Sequence, residues 1–150
     1  MREHKFSITG SIPSIDWELF GSILTGDSGK AGYGSDLGSY EVKSAKDRSS
    51  FEYQYYLHGG LTKLKEDMFV DHIFISYSPD YADVTVRLVQ GAVLAPLFQR
   101  WEPALIINYS GDSPKQRFRR SIPYGEVSKL GIIIMRIQAS ELVFPTKPMY

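Results

Sequence analysis

A chain of 150 residues fits one domain (1–150) around one hydrophobic core, and 43% hydrophobic and 13% aromatic content, ten tyrosines included, is that of an ordered globular protein. With no cysteine, disulfides, thiolate zinc sites and cysteine nucleophiles are excluded. Formal net charge is zero, which disfavours a protein that coats nucleic acid through bulk charge alone.

The expected elements follow in chain order. Residues 5–9 alternate polar and apolar and read as a short edge strand. Ser14 is placed to cap a helix running to about Leu24, because Ile15, Leu19 and Ile23 recur at intervals of four and Asp16 and Glu18 fall in the first turn. Residues 26–34 form a glycine-rich connection. It lacks the spacing of a phosphate-binding loop: Gly26 stands three residues before Gly29, and Ala31 follows Lys30 where Ser or Thr is needed. No nucleotide cofactor is expected. Residues 40–44 suit a strand with Tyr40 and Val42 on one face and Glu41 and Lys43 on the other. The aromatic stretch 51–56 fits either helix or strand, and 61–68 reads as a short helix after Gly59-Gly60. Residues 71–77 and 83–89 read as strands paired in a hairpin, the first too apolar for an exposed surface. A helical turn at 95–100, a strand at 104–108, a polar basic loop at 110–120, a short helix at 124–129 and a strand at 131–137 complete the reading. The fold class is α/β (α+β): a mixed central β-sheet flanked by helices, with no repeat and no linker.

No apolar run approaches the roughly 18–20 residues that span a bilayer, and no signal-peptide core follows the polar start, so a cytoplasmic protein with no membrane association is expected. Charge is unevenly spread. Residues 1–75 hold eight basic against eleven acidic side chains and residues 76–150 nine against six, so the halves carry −3 and +3. That division suits a protein holding cations with carboxylates and a polyanion with guanidinium groups, although a difference of this size also arises by chance.

The pattern that carries chemistry is Asp36, four residues, Glu41-Val-Lys43-Ser44. A divalent ion such as Mg2+ favours hard oxygen ligands, and two carboxylates on rigid elements hold it with positions left for water and a phosphate oxygen. Two residues apart on a strand, Glu41 and Lys43 project to one side. The ammonium is then placed to orient or deprotonate an attacking water, or to stabilise charge developing on a phosphate. The competing reading of Glu41 and Lys43 is a solvent-facing ion pair on an edge strand, worth little.

These residues resemble the active-site signature of the PD-(D/E)xK superfamily, the restriction-endonuclease-like nucleases. The resemblance is close over about residues 35–44. It implies a β-hairpin presenting Asp36, Glu41 and Lys43 to Mg2+, hydrolysis of phosphodiester bonds in double-stranded DNA, and commonly a homodimer. Its fullest form is a sequence-specific type II restriction endonuclease; the alternatives are a repair or junction nuclease of the same fold, or a non-catalytic binding or assembly module. Glu18 is a candidate third metal carboxylate, against the reading of an exposed glutamate in a first helical turn. The histidines His4, His58 and His72 lack metal-ligand spacing and read as packed or hydrogen-bonded. For DNA contact the densest basic cluster is Lys115, Gln116, Arg117, Arg119 and Arg120, with Arg100 nearby in sequence; arginine reads guanine, glutamine reads adenine and lysine holds phosphates.

Overall fold

The structure is a computed structural model that describes residues 40–144. The expected edge strand at 5–9, the helix from Ser14, the glycine-rich connection, Glu18 and Asp36 lie outside the described residues.

Strand β1 (Tyr40–Lys46) runs parallel to β3 (Asp71–Tyr77), joined by a crossover that contains β2 (Phe51–Tyr56) and α1 (Gly60–Asp67). The polypeptide then turns back as β4 (Val84–Val89), antiparallel to β3 with His72 opposite Val89 and Tyr77 opposite Val84, which is the expected hairpin. Helix α2 (Gly91–Asn108) and strand β5 (Arg117–Ile122) follow, then α3 (Tyr124–Leu130), β6 (Ile132–Gln138) and β7 (Glu141–Phe144). The described strands form a mixed five-stranded sheet in the order β1-β3-β4-β6-β7 and a separate antiparallel ribbon of β2 and β5. This is the α+β architecture expected, and among the described residues no helix is long and apolar enough to cross a membrane.

Burial of consecutive residues in β3 follows from its central position. Ile73 and Ile75 pack on one face with Val42, Val84 and Val86. Phe74 packs on the other with Phe51, Tyr53 and Tyr55 of the ribbon, Leu64 of α1 and Leu94, Phe98, Trp101 and Leu105 of α2. Ribbon and helices therefore cover one face of the sheet, the face toward which Glu41 and Lys43 of β1 also point.

Two expectations are corrected. The turn at 95–100 and the strand at 104–108 are one helix, α2, which continues through Pro96 and Pro103. Proline removes a helical N–H and clashes one turn back, and Leu105-Ile-Ile107 favours strands, so local signals argued for a break. Burial overrides them: Leu94, Phe98, Trp101 and Leu105 recur at helical spacing on one buried face, while Ile106 and Ile107 are exposed. The basic stretch 110–120 is not all loop, since Arg117 onward belongs to β5 and pairs with β2, Tyr56 opposite Arg117 and Phe51 opposite Ile122. Glycine at position 91 is dictated by contact: a Cβ there would lie 2.3 Å from the Val70 carbonyl oxygen. Its N–H donates to Asp71 Oδ1 at 2.8 Å, which places a carboxylate at the positive end of α2.

Candidate active site

Glu41 and Lys43 share the face of β1 that is covered by the ribbon and α1, and Val42 between them enters the opposite core. In register, Glu41 lies beside His72 and Lys43 beside Phe74 of β3. The Glu41 side chain is 1% exposed and that of Lys43 23%, with Lys43 Nζ 3.2 Å from Glu41 Oε1. A solvent-facing ion pair does not describe this geometry. Lys43 Nζ also stands 4.7 Å from the centre of the Tyr53 ring, a cation–π placement.

The fold adds residues that sequence reasoning missed. Lys63 on α1 donates to Glu41 Oε2 at 2.6 Å and to Asp67 Oδ1 at 2.7 Å, the latter one turn on in the same helix. Tyr55 of β2 donates its hydroxyl to Asp67 Oδ2 at 2.7 Å. His72 Nε2 is 2.8 Å from the Asp67 carbonyl oxygen, so that nitrogen carries the proton; Nδ1 then accepts from the Tyr53 hydroxyl at 2.8 Å. The one available signal for Lys63 and Asp67 was their spacing of four in a predicted helix, a pattern common on solvated helix faces.

Electrostatics follow from burial and count of charges. Two carboxylates and two ammonium groups meet here. Burial pushes the Glu41 carboxyl up, but the ammonium groups of Lys43 and Lys63 outweigh it and hold the group below its ordinary value. Burial pulls Lys63 down, and Asp67 and Glu41 outweigh that too, leaving it raised. Asp67 goes the other way: burial and the Glu41 charge raise it in spite of Lys63. Tyr55 is raised by burial and by the Asp67 carboxylate, so its hydroxyl stays protonated.

Metal fit turns on the donors present. Among the described residues no group of three or more His, Asp or Glu side chains is arranged to hold a metal ion. Glu41 nevertheless has the required chemistry, a hard oxygen donor kept ionised by its two cationic neighbours. Asp36 and Glu18, the further carboxylates expected, are outside the described residues.

The expected DNA-contacting residues lie elsewhere. Arg100 is exposed on α2, Lys115 and Gln116 precede β5, and Arg117, Arg119 and Arg120 are exposed on β5 itself. Arg119 Nε is 3.6 Å from Glu52 Oε1 across the ribbon, with both side chains about half exposed. The Arg120 guanidinium lies 4.2 Å from the centre of the Phe118 ring, and that of Arg117 5.7 Å from the centre of the Tyr56 ring. Trp101, beside Arg100 in sequence, is a core residue at 8% exposure.

No protein-family model matches this sequence, and no curated protein matches it.

A pH effect follows from His72, whose value burial holds below 6.5. The native state therefore favours the neutral ring, and the unfolded chain takes up the proton first. The contribution of His72 to stability is complete above about pH 6.5 and declines as pH falls below it, with a slope of at most about 1.4 kcal/mol per pH unit. Asp67, raised, works in the opposite direction. The clean measurement is thus the difference between urea titrations of the native protein and of His72→Gln from pH 7.5 to 5.5: His72→Gln is expected to show the smaller loss on acidification, and parallel curves would remove His72 as the cause.

Proposed function

We propose that this chain is a Mg2+-dependent endonuclease that hydrolyses phosphodiester bonds in double-stranded DNA, in its fullest form a type II restriction endonuclease of the PD-(D/E)xK kind, acting as a homodimer. The observation that carries the reading is the ionised Glu41 carboxylate, almost wholly buried, with Lys43 on the same strand face at 3.2 Å. Burying charge is costly unless partners are well placed, and sites that shift titration in this way are enriched where chemistry is done. A Mg2+ ion held by Glu41 and Asp36 would supply Lewis-acid stabilisation of a phosphate oxygen and a more acidic water. Lys43 would orient an attacking water or the phosphate through its ammonium, and its remaining exposure leaves the group reachable by a substrate. Glu41 is fixed in direction by Lys63, and Val42 anchors the strand in the core behind it.

The ribbon supports contact with the polyanion. A two-stranded ribbon is narrow enough for the major groove, and β5 turns Arg117 and Arg119 outward while Phe118 fills the core. The exposed pair with Glu52 holds Arg119 only weakly, so a phosphate can take its place. Arg119→Ala is expected to weaken DNA binding at all sequences and to lower the slope of log K against log salt by about 1. An unchanged slope in a fluorescence anisotropy titration would remove the residue from the interface.

The decisive experiment is cleavage of plasmid and of a fully sequenced phage DNA with Mg2+. Discrete bands, lost on chelation and in Asp36→Ala and Lys43→Ala, are expected. A smear would leave a nuclease without sequence preference, and no cleavage of either DNA would favour a non-catalytic module.

A further inference from the structure

The two ammonium groups on Glu41 are held in different ways. Lys43 belongs to the same strand and faces Oε1. Lys63 reaches Oε2 from α1 at 2.6 Å while its Nζ also contacts Asp67 Oδ1 at 2.7 Å. An ammonium has three donors, so one group serves both carboxylates. The consequence is asymmetric: on leaving Glu41, Lys63 keeps a carboxylate partner in its own helix.

That asymmetry matters for a cation. Mg2+ or Mn2+ would take a carboxylate oxygen at about 2.0–2.2 Å, and an ammonium within hydrogen-bond reach of the same oxygen would then confront it with a like charge in a poorly solvated site. Both cannot hold Glu41 Oε2. Lys63 is 17% exposed and Glu41 1%, so solvent screens the conflict little.

Resting on the metal-binding part of the nuclease reading, we propose that Lys63 is a tethered placeholder cation: it neutralises Glu41 Oε2 while no metal ion is bound, and a divalent cation displaces it onto Asp67. Lys63 is then a positioning residue. It keeps the Glu41 carboxylate ionised and aimed before metal arrives, at the cost of weaker metal binding in the absence of DNA. Because the two cations exclude each other, removing Lys63 strengthens metal binding, whereas removing its second resting place weakens it.

The test is calorimetric titration of the DNA-free protein with MnCl2 at fixed ionic strength. Lys63→Met is expected to bind Mn2+ about tenfold more tightly than the native protein, within the usual range for coupled ligands. Asp67→Asn, which leaves Lys63 only Glu41, is expected to bind several-fold more weakly. A purely structural role for Lys63 would weaken binding in both. Should Lys63→Met fail to fold, Lys63→Gln, which retains a donor for Asp67, answers the same question.

Binding by Lys63→Met that is equal to or weaker than that of the native protein overturns the proposal. DNA cleavage is read separately. Cleavage without tighter Mn2+ binding by Lys63→Met sinks the placeholder alone, and the two opposite shifts without cleavage sink the nuclease alone. No Mn2+ binding by either protein together with no cleavage sinks both.

Discussion

Glu41→Gln is expected to abolish Mg2+-dependent DNA cleavage, with a loss of about 10²–10³-fold or more, the range seen when a group that stabilises transition-state charge is removed. The substitution keeps shape and takes away the charge that both ammonium groups address. Breaking a buried ion pair on one side costs about 3–5 kcal/mol, and because Lys63 retains Asp67 the lower end applies here. Lys43→Ala separates chemistry from folding. Its side chain is 23% exposed and Glu41 keeps Lys63, so the stability cost is expected below that of Glu41→Gln, while cleavage falls as far. Urea denaturation beside a timed plasmid assay checks both. Full cleavage by either variant would end the assignment of that residue to the chemistry.

Phe98→Ala is expected to have the largest effect on stability, about 3–5 kcal/mol, as for other large-to-small changes at fully buried aromatic positions. At this chain length that corresponds to a fall in Tm of roughly 6–20 °C. The Phe98 ring meets three neighbours: Tyr53 edge-on at 5.4 Å, His72 stacked at 5.1 Å and Trp101 edge-on at 5.2 Å between centroids. Its loss opens a cavity beside the Tyr53–His72 hydrogen bond. Calorimetric melting checks the size, and a fall under 3 °C would mean that α2 closes the gap by moving inward.

The strands of the central sheet were legible where alternation was clean. Tyr40 and Val42 against Glu41 and Lys43, and the paired runs ending at Tyr77 and beginning near Val84, gave both the faces and the hairpin. In β2 the same alternation exists, Phe51, Tyr53 and Tyr55 inward and Glu52 and Tyr56 outward, but aromatic residues on both faces concealed it. β5 was hidden for a related reason, since arginines stand on both sides of buried Phe118. In α2, proline and β-branched residues outweighed a helical period that only packing makes visible. The Glu41–Lys43 pair on β1 could be read from spacing because its residues are two apart. Lys63, Asp67, Tyr53, Tyr55 and His72 could not, because the parallel β1–β3 crossover, a long-range event, is what folds them over Glu41.

Strand β2 has two sides with different duties. Its inward face supplies the hydroxyls of Tyr53 and Tyr55 that fasten His72 and Asp67, and its edge is laced to β5, which carries the outward arginines. The outward arginines and the hydroxyls that brace the buried charges are therefore carried by one hydrogen-bonded ribbon.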